Sequence, residues 1–277
     1  MSTYREILTT ARNYLKQHAI ADADVDAWYL LAHVFGISRA EFYLHTEDEV
    51  SGTQAKAYME LIRQRAKHIP LQLITGKQEF MGLEFEVSSD VLIPRQDTEV
   101  LVEEALKVCN QKSVLDMCTG SGCIIISLAK LSNLTKAVGV DISEKALKVA
   151  RKNAAKHKQN VEFIQSNLFD NIKGEYDVVV SNPPYIPTED IKNLMPEVRD
   201  HEPIMALDGD QDGLSFYRRI ALQVKNHLNP NGYIMMEIGY NQGKEVVDIL
   251  QKAGFYDVKI IKDLSGMDRV VSGRYMS

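Results

Sequence analysis

Asn182-Pro183-Pro184-Tyr185 directly follows Asp177-Val178-Val179-Val180-Ser181. The three valines predict a buried strand. That puts the tetrapeptide at the strand's carboxyl end, where open α/β sheets bind their ligands. Two consecutive prolines hold the backbone, and Pro184 restricts Pro183 to extended geometry. The loop is therefore rigid before any substrate arrives. An amide or aniline-like NH₂ has a delocalised lone pair and is a poor nucleophile. If the Asn182 side-chain oxygen and the Pro183 carbonyl each accept one of its N–H groups, charge developing on the nitrogen is stabilised as a small electrophile arrives. Tyr185 can cover the flat face of the planar group. Methyl transfer fits, because in-line attack tolerates little positional error. The plainer alternative is a proline-stiffened turn with a half-buried tyrosine.

A second cluster lies upstream, in VLDMCTGSGCIIISLA at 114–129. A strand, a turn at Gly120 and Gly122, and an apolar helix bring a ligand close to bare backbone. The next strand, AVGVDIS, ends in Asp141, about twenty residues after the glycines, where a carboxylate can accept hydrogen bonds from ribose hydroxyls. Asp141 could instead cap the following helix together with Ser143. DMCTGSG is not the fuller GxGxxG of dinucleotide sites, and the Asp116 charge inside the turn opposes a phosphate but suits a cation. S-adenosylmethionine, a sulfonium with an amino group, fits better than NAD.

These groups need elements to hold them. Tyr4, Ile7, Leu8, Ala11, Tyr14 and Leu15 form one helical stripe, and Val25, Trp28, Leu31, Val34 and Phe35 a second. Ser38 with Glu41 and Ser51 with Gln54 have capping-box spacing. A last helix ends in Arg63, Arg65, Lys67 and His68 before Pro70, with cations at the negative end of its dipole. Residues 76–94, GKQEFMGLEFEVSSDVLIP, alternate around Gly82 and predict a β-hairpin. Beyond Glu99, helices such as Glu144–His157 and Leu214–Leu228 alternate with short strands. The strands are expected at 113–117, 137–140, 161–165, 177–181, 233–237, 258–261 and 269–272. Such alternation predicts a parallel, doubly wound α/β sheet. The Lys- and Arg-rich stretch from Lys145 to Lys158 is most simply a solvated helix face.

Composition sets the outer bounds. The chain has 277 residues, 45% hydrophobic and 25% charged, which is ordinary for a soluble globular protein. No apolar run is long enough to span a bilayer and the first residues lack a secretory pattern, so a cytoplasmic protein without membrane contact is expected. Its net charge of −6 is not the footprint of a nucleic-acid binder. The expected helical domain, 1–75, carries 8 Lys plus Arg and 9 Asp plus Glu, a net of −1. Cys109, Cys118 and Cys123 form no CxxC pair and read as reduced thiols, with no metal site expected.

Over nearly its whole length the chain resembles the HemK family of glutamine methyltransferases that modify peptide chain release factors. The likeness rests on VLIPRQDTE at 91–99, the glycine turn, VDIS, SNPPYIP, EPIMALDGDQDGL at 202–214, EIGYNQG at 237–243 and SGMDRVV at 265–271. NPPY alone is shared with enzymes that methylate exocyclic amines of bases; the other segments are more specific. The resemblance implies a Rossmann-like class I methyltransferase domain over 95–277, a substrate-recognition domain of helices over 1–75, and the hairpin over 76–94 as linker. It implies that methyl passes from S-adenosylmethionine to the side-chain amide of the glutamine in a Gly-Gly-Gln loop, with a release factor as partner and the enzyme a monomer. By motif, Cys118, Thr119, Gly120, Ser121 and Gly122 with Asp141 and Ile142 would hold the cofactor, and Asn167, Leu168 and Phe169 would flank its adenine. Asn182, Pro183, Pro184 and Tyr185 would hold the glutamine, with Asn182 also beside the cofactor. Arg95 and Glu99 would shape the pocket or form an interdomain salt bridge. The chain departs from the family at Cys118 (usually glycine), Asn167 (usually aspartate), Leu168 (aromatic in some members) and Gln96 (usually proline). Competing readings are a nucleic-acid amine methyltransferase and a non-catalytic adenosylmethionine-binding protein.

Overall fold

A computed structural model describes residues 2–276, which divide into two compact units. The first comprises the chain up to Gly76 together with Met195–His201; the second comprises Lys77–Leu194 and Glu202–Ser277.

The helical unit contains α1 (Tyr4–Gln17), α2 (Ala23–Phe35), α3 (Arg39–Leu44), α4 (Gly52–Arg65) and α5 (Leu71–Thr75). Capping boxes start two of them, Thr3 with Glu6 on α1 and Ser38 with Glu41 on α3, whereas at Ser51 only the side chain's own cap to the Gln54 N–H forms. Ile7, Leu8, Ala11 and Leu15 of the first apolar stripe meet Ala27, Leu30, Leu31, Tyr58 and Ile62 in one core. The chain re-enters this unit through a short helix, Pro196–Arg199. The reason is electrostatic. Arg65, nearly buried, has its Nε 2.6 Å from Asp26, and Glu197 supplies a second carboxylate 3.0 Å from its other arm.

The second unit opens on the expected hairpin, β1 (Lys77–Phe80) and β2 (Leu83–Glu86). Both turn residues, Met81 (φ 52°) and Gly82 (φ 69°), are left-handed, the geometry of a type I′ turn. There follow α6 (Glu99–Leu106), β3 (Ser113–Met117), α7 (Cys123–Leu131), β4 (Lys136–Asp141), α8 (Glu144–His157), β5 (Glu162–Gln165), β6 (Tyr176–Ser181), α9 (Pro196–Arg199, already placed with the helical unit), α10 (Ser215–Gln223), β7 (Leu228–Glu237), α11 (Gly243–Lys252), β8 (Phe255–Lys262) and β9 (Asp268–Tyr275).

The seven-stranded sheet has the order β5-β4-β3-β6-β7-β9-β8. The first five strands pair in parallel, but β9 runs antiparallel to β7 and β8 antiparallel to β9, so the sheet is mixed rather than wholly parallel as expected. Alternation along the strands splits the core between two faces. Leu115, Met117, Val179, Ile234 and Met236 pack with Tyr217 and Ile220 of α10 and Val246 and Leu250 of α11. Val114, Val178, Val180 and Met235 pack with Leu101 and Val102 of α6, Ile124–Ile126 of α7, and Phe80 and Phe85 of the hairpin. Both sides are covered, as the valine-rich strands require. No helix among the described residues is long and apolar enough to cross a membrane.

Candidate active site

At the carboxyl ends of β3, β4 and β6 lies a cavity of about 460 Å³. Its floor is the turn after β3. Cys118 has φ 62°, Gly120 φ 55° and Gly122 φ 80°, so the chain takes a left-handed step three times before α7 begins. Cys118 adopts a conformation that favours glycine and bears the strain of a Cβ in that region. Cys118, Thr119, Gly120 and Ser121 all line the cavity.

Asp141 closes β4 and faces the same space. One carboxylate oxygen accepts the Gly120 N–H at 2.9 Å and the other accepts the Ser143 N–H at 2.9 Å. The geometry is that of the capping reading: the carboxylate braces the turn and the start of α8, where Ser143 itself caps the Ala146 N–H. Each oxygen keeps a lone pair for a ligand hydroxyl. Burial pushes the carboxyl above the usual range, and these N–H groups oppose the shift. Ile142, 53% exposed, contributes an apolar wall. Asn167 and Leu168 line the far side; the Asn167 side-chain Oδ1 accepts from Arg219 at 2.8 Å.

Several expected residues sit elsewhere. Asp116 is fully buried beneath the turn and does not line the cavity; it accepts the Thr119 hydroxyl at 2.5 Å, and desolvation pushes its carboxyl up to about 7. Gly122 is required by helix packing rather than by a ligand, since a Cβ there would stand 2.8 Å from Ile126 and 3.1 Å from Ala150. Phe169 turns into the core and stacks on His227 at 4.9 Å between centroids. Glu99 accepts the Met81 N–H at 2.7 Å and so holds the hairpin turn instead of the pocket. Arg95 does line the cavity and is paired with buried Glu202, within the same unit, so neither residue forms an interdomain bridge.

Asn182 and Pro184 line the cavity, and Pro183 is buried behind them. The Asn182 Nδ2 donates to the Thr98 hydroxyl at 3.2 Å, which turns Oδ1 to the opposite end of the carboxamide. Tyr185 does not lie over the cavity as expected. Its hydroxyl donates to Glu237 Oε1 at 3.3 Å, while its backbone carbonyl accepts from Gln242 at 2.9 Å. The tetrapeptide is clasped from outside by the 202–214 segment. Gly209 N–H donates to the Ile186 carbonyl at 2.8 Å, and a Cβ at Gly213 would fall 2.3 Å from the Tyr185 carbonyl oxygen. Sequence reasoning missed Thr98, Phe216, Arg219 and the lip Pro203–Ala206, all of which line the cavity. The family-specific segments contain two of these, Thr98 and the lip, whereas Phe216 and Arg219 lie outside them, and only the fold brings all of them together.

A mixed sheet with a glycine turn after its first strand, an acid ending the second and NPPY after the fourth defines a class I methyltransferase. Residues 95–197 match the model of the methyltransferase small domain. The fold is shared with the crystal structure of a methyltransferase from Pyrococcus furiosus, at TM-score 0.56 and 18% identity, covering 72% of this chain and 91% of that one. The helical unit narrows the class, because residues 6–76 match the PrmC N-terminal domain. The chain is 42% identical to the release factor glutamine methyltransferase of Geobacter sulfurreducens, over 98% of this chain and 96% of that protein. It is 40% identical to that of Agrobacterium fabrum, over 96% of each. It belongs to the release factor glutamine methyltransferase family.

Proposed function

We propose that this protein transfers a methyl group from S-adenosylmethionine to the side-chain amide nitrogen of the glutamine in the Gly-Gly-Gln loop of peptide chain release factors. The observation that carries the reading is that the rigid Asn182–Pro184 loop and the Asp141–Gly120 cradle line one cavity. A nucleoside-bearing cofactor fits the residues present. Asp141 offers two oriented acceptors to ribose hydroxyls, Ile142 and Leu168 offer apolar walls to a base, and the bare backbone at Gly120 permits close approach. When bound, S-adenosylmethionine supplies an electrophilic methyl on a sulfonium.

The chain's own residues do the rest. Asn182 Oδ1 and the Pro183 carbonyl accept the two amide N–H groups of the glutamine, fixing its nitrogen and meeting the positive charge that grows there during transfer. Pro183 and Pro184 keep both acceptors in place without reorganisation. Tyr185 acts from behind the loop, not over the substrate. Arg95, held by Glu202, borders the acceptor side. The helical unit, whose surface carries no cationic excess, grips the body of the release factor, and the protein works as a cytoplasmic monomer without binding nucleic acid directly.

The test is the intact mass of a purified release factor after incubation with this protein and S-adenosylmethionine. A gain of one methyl, mapped by fragmentation to the loop glutamine, is expected. An unchanged mass with active cofactor and folded enzyme would reject the reading.

A further inference from the structure

Two prolines make the Asn182–Tyr185 loop stiff within itself, but a residue without an N–H cannot tie itself to its surroundings by donating. The loop must therefore be anchored at its ends. At the near end, β6 is laddered to β3 and β7 as far as Ser181, whose hydroxyl donates to the Met117 carbonyl at 2.7 Å. At the far end, the Tyr185–Ile186 peptide unit is held on both sides. Its N–H donates to the Leu207 carbonyl at 3.0 Å, and its C=O accepts from the Gln242 side chain at 2.9 Å. Gln242 is the sixth residue of EIGYNQG, a segment with no part in the chemistry described so far. It stands at the start of α11, only 8% exposed, and does not line the cavity.

We propose that Gln242 is a positioning residue: its side-chain amide fixes the far end of the Asn182–Tyr185 loop, and with it the place of the two acceptors that hold the glutamine nitrogen. The inference rests on the proposed function and names what keeps those acceptors in register with the sheet. Every polar position of the amide is occupied. Oε1 accepts the Gly239 N–H at 2.9 Å and lies 3.4 Å from the Tyr217 hydroxyl. A backbone N–H can only donate, so Nε2 must point the other way. There it donates to the Tyr185 carbonyl at 2.9 Å and to the Gly213 carbonyl at 3.3 Å. One amide thus joins the exit of β7, the 202–214 segment and the tetrapeptide. Two glycines leave room for it: a Cβ at Gly213 would fall 2.7 Å from Nε2, and one at Gly239 would fall 2.9 Å from Oε1. Buried and fully partnered, the amide holds a single arrangement. With it released, the Tyr185–Ile186 peptide can tilt about its remaining bond to Leu207, and Pro183 and Pro184, with no N–H of their own, follow it.

Gly239→Ala is the gentlest probe, because its new Cβ meets the flexible tip of Gln242 and touches neither the tetrapeptide nor the cavity. Gln242→Met keeps the length of the side chain and removes its hydrogen bonds. Both are assayed on release factor beside the wild type, with rates expressed per cofactor-binding site counted by calorimetry, so that unfolded protein does not enter. The kcat of Gly239→Ala should fall about tenfold and that of Gln242→Met about a hundredfold, the scale set by a misplaced reacting group. The Kd for S-adenosylmethionine should stay within about twofold in both, because the glycine turn is braced separately by Asp141. A merely structural brace would lower the count of binding sites and leave kcat per site unchanged. The double variant Gly239→Ala/Gln242→Met should be no slower than Gln242→Met alone, since both act on one amide. A kcat within about threefold of wild type in either single variant would overturn the proposal, as would multiplying losses in the double variant or a cofactor affinity that falls in step with kcat. Gly239→Ala decides the matter if Gln242→Met does not fold. A wild type inactive on release factor would instead refute the proposed function, and the two failures are thereby distinguished.

Discussion

Replacing Asp141 by asparagine keeps one side-chain oxygen but removes the charge and one acceptor. In the structure that carboxylate is already ordered before any ligand arrives, by the Gly120 N–H on one oxygen and the Ser143 N–H on the other, each at 2.9 Å. Much of the cost of burying it is therefore met in the folded protein: burial raises its pKa, and these N–H groups oppose the rise. Ribose hydroxyls would meet an oriented, partly desolvated acceptor. A hydrogen bond to a charged group contributes roughly 1.5–3 kcal/mol, so losing the charge should raise the Kd for S-adenosylmethionine by about 10- to 100-fold. On the proposed function the methyl acceptor is held by Asn182 and not by Asp141, so kcat at saturating cofactor should stay within about threefold. Calorimetry for Kd and initial rates over a wide cofactor range separate the two effects. Asp141→Ala should add a loss of stability of about 2 kcal/mol, because it also strips two backbone N–H groups of their acceptors. An unchanged Kd for Asp141→Asn, or a rate that saturating cofactor fails to restore, would refute the ribose assignment and leave Asp141 as a brace for the turn alone.

Three further outcomes follow from the same geometry. Asn182→Ala should cut kcat by about 10²–10³-fold with little change in cofactor Kd, since Oδ1 meets charge that exists only in the transition state; equal losses in both would make it a cofactor residue first. Glu99→Ala should destabilise the fold by about 1 kcal/mol through the orphaned Met81 N–H, with kcat near wild type; a tenfold loss of kcat in a stable protein would return it to the pocket. Burial pushes the Asp116 carboxyl from its ordinary value of 3.8 up to about 7, so the folded state holds the extra proton between these values and loses relative stability as pH rises through them. Denaturant midpoints of Asp116→Asn should therefore gain on wild type as pH rises from about 4 to about 7, and a pH-independent difference would contradict the buried-acid reading.

How much of this was legible in the sequence differs by feature. Runs such as Ser113–Met117 and Asp177–Ser181 betray strands because buried parallel strands demand continuous β-branched or apolar residues. Strand direction leaves no comparable mark, and the antiparallel pairing of β9 with β7 and β8 emerges only in the structure. Asp141 ends a strand and Asn182 directly follows one, so the sequence alone places both at the carboxyl edge of the sheet, where the cavity lies. Gly122 and Phe169 belong to the same motifs but serve packing, and spacing cannot tell a residue that faces a ligand from its neighbour that faces the core. Tyr185 was placed over the substrate on the chemistry of its ring, yet its partner, Glu237, lies 52 residues away on another strand. Glu197 is a similar case. Nothing local in its sequence says that it completes the ion cluster around Arg65.

The central claim is tested most directly by following tritium from S-adenosylmethionine into four acceptors: a release factor, the same factor with its loop glutamine changed to alanine, total RNA and DNA. The account predicts label in the intact factor and background counts in the other three. Label persisting in the alanine variant, or appearing chiefly in RNA or DNA, would contradict it.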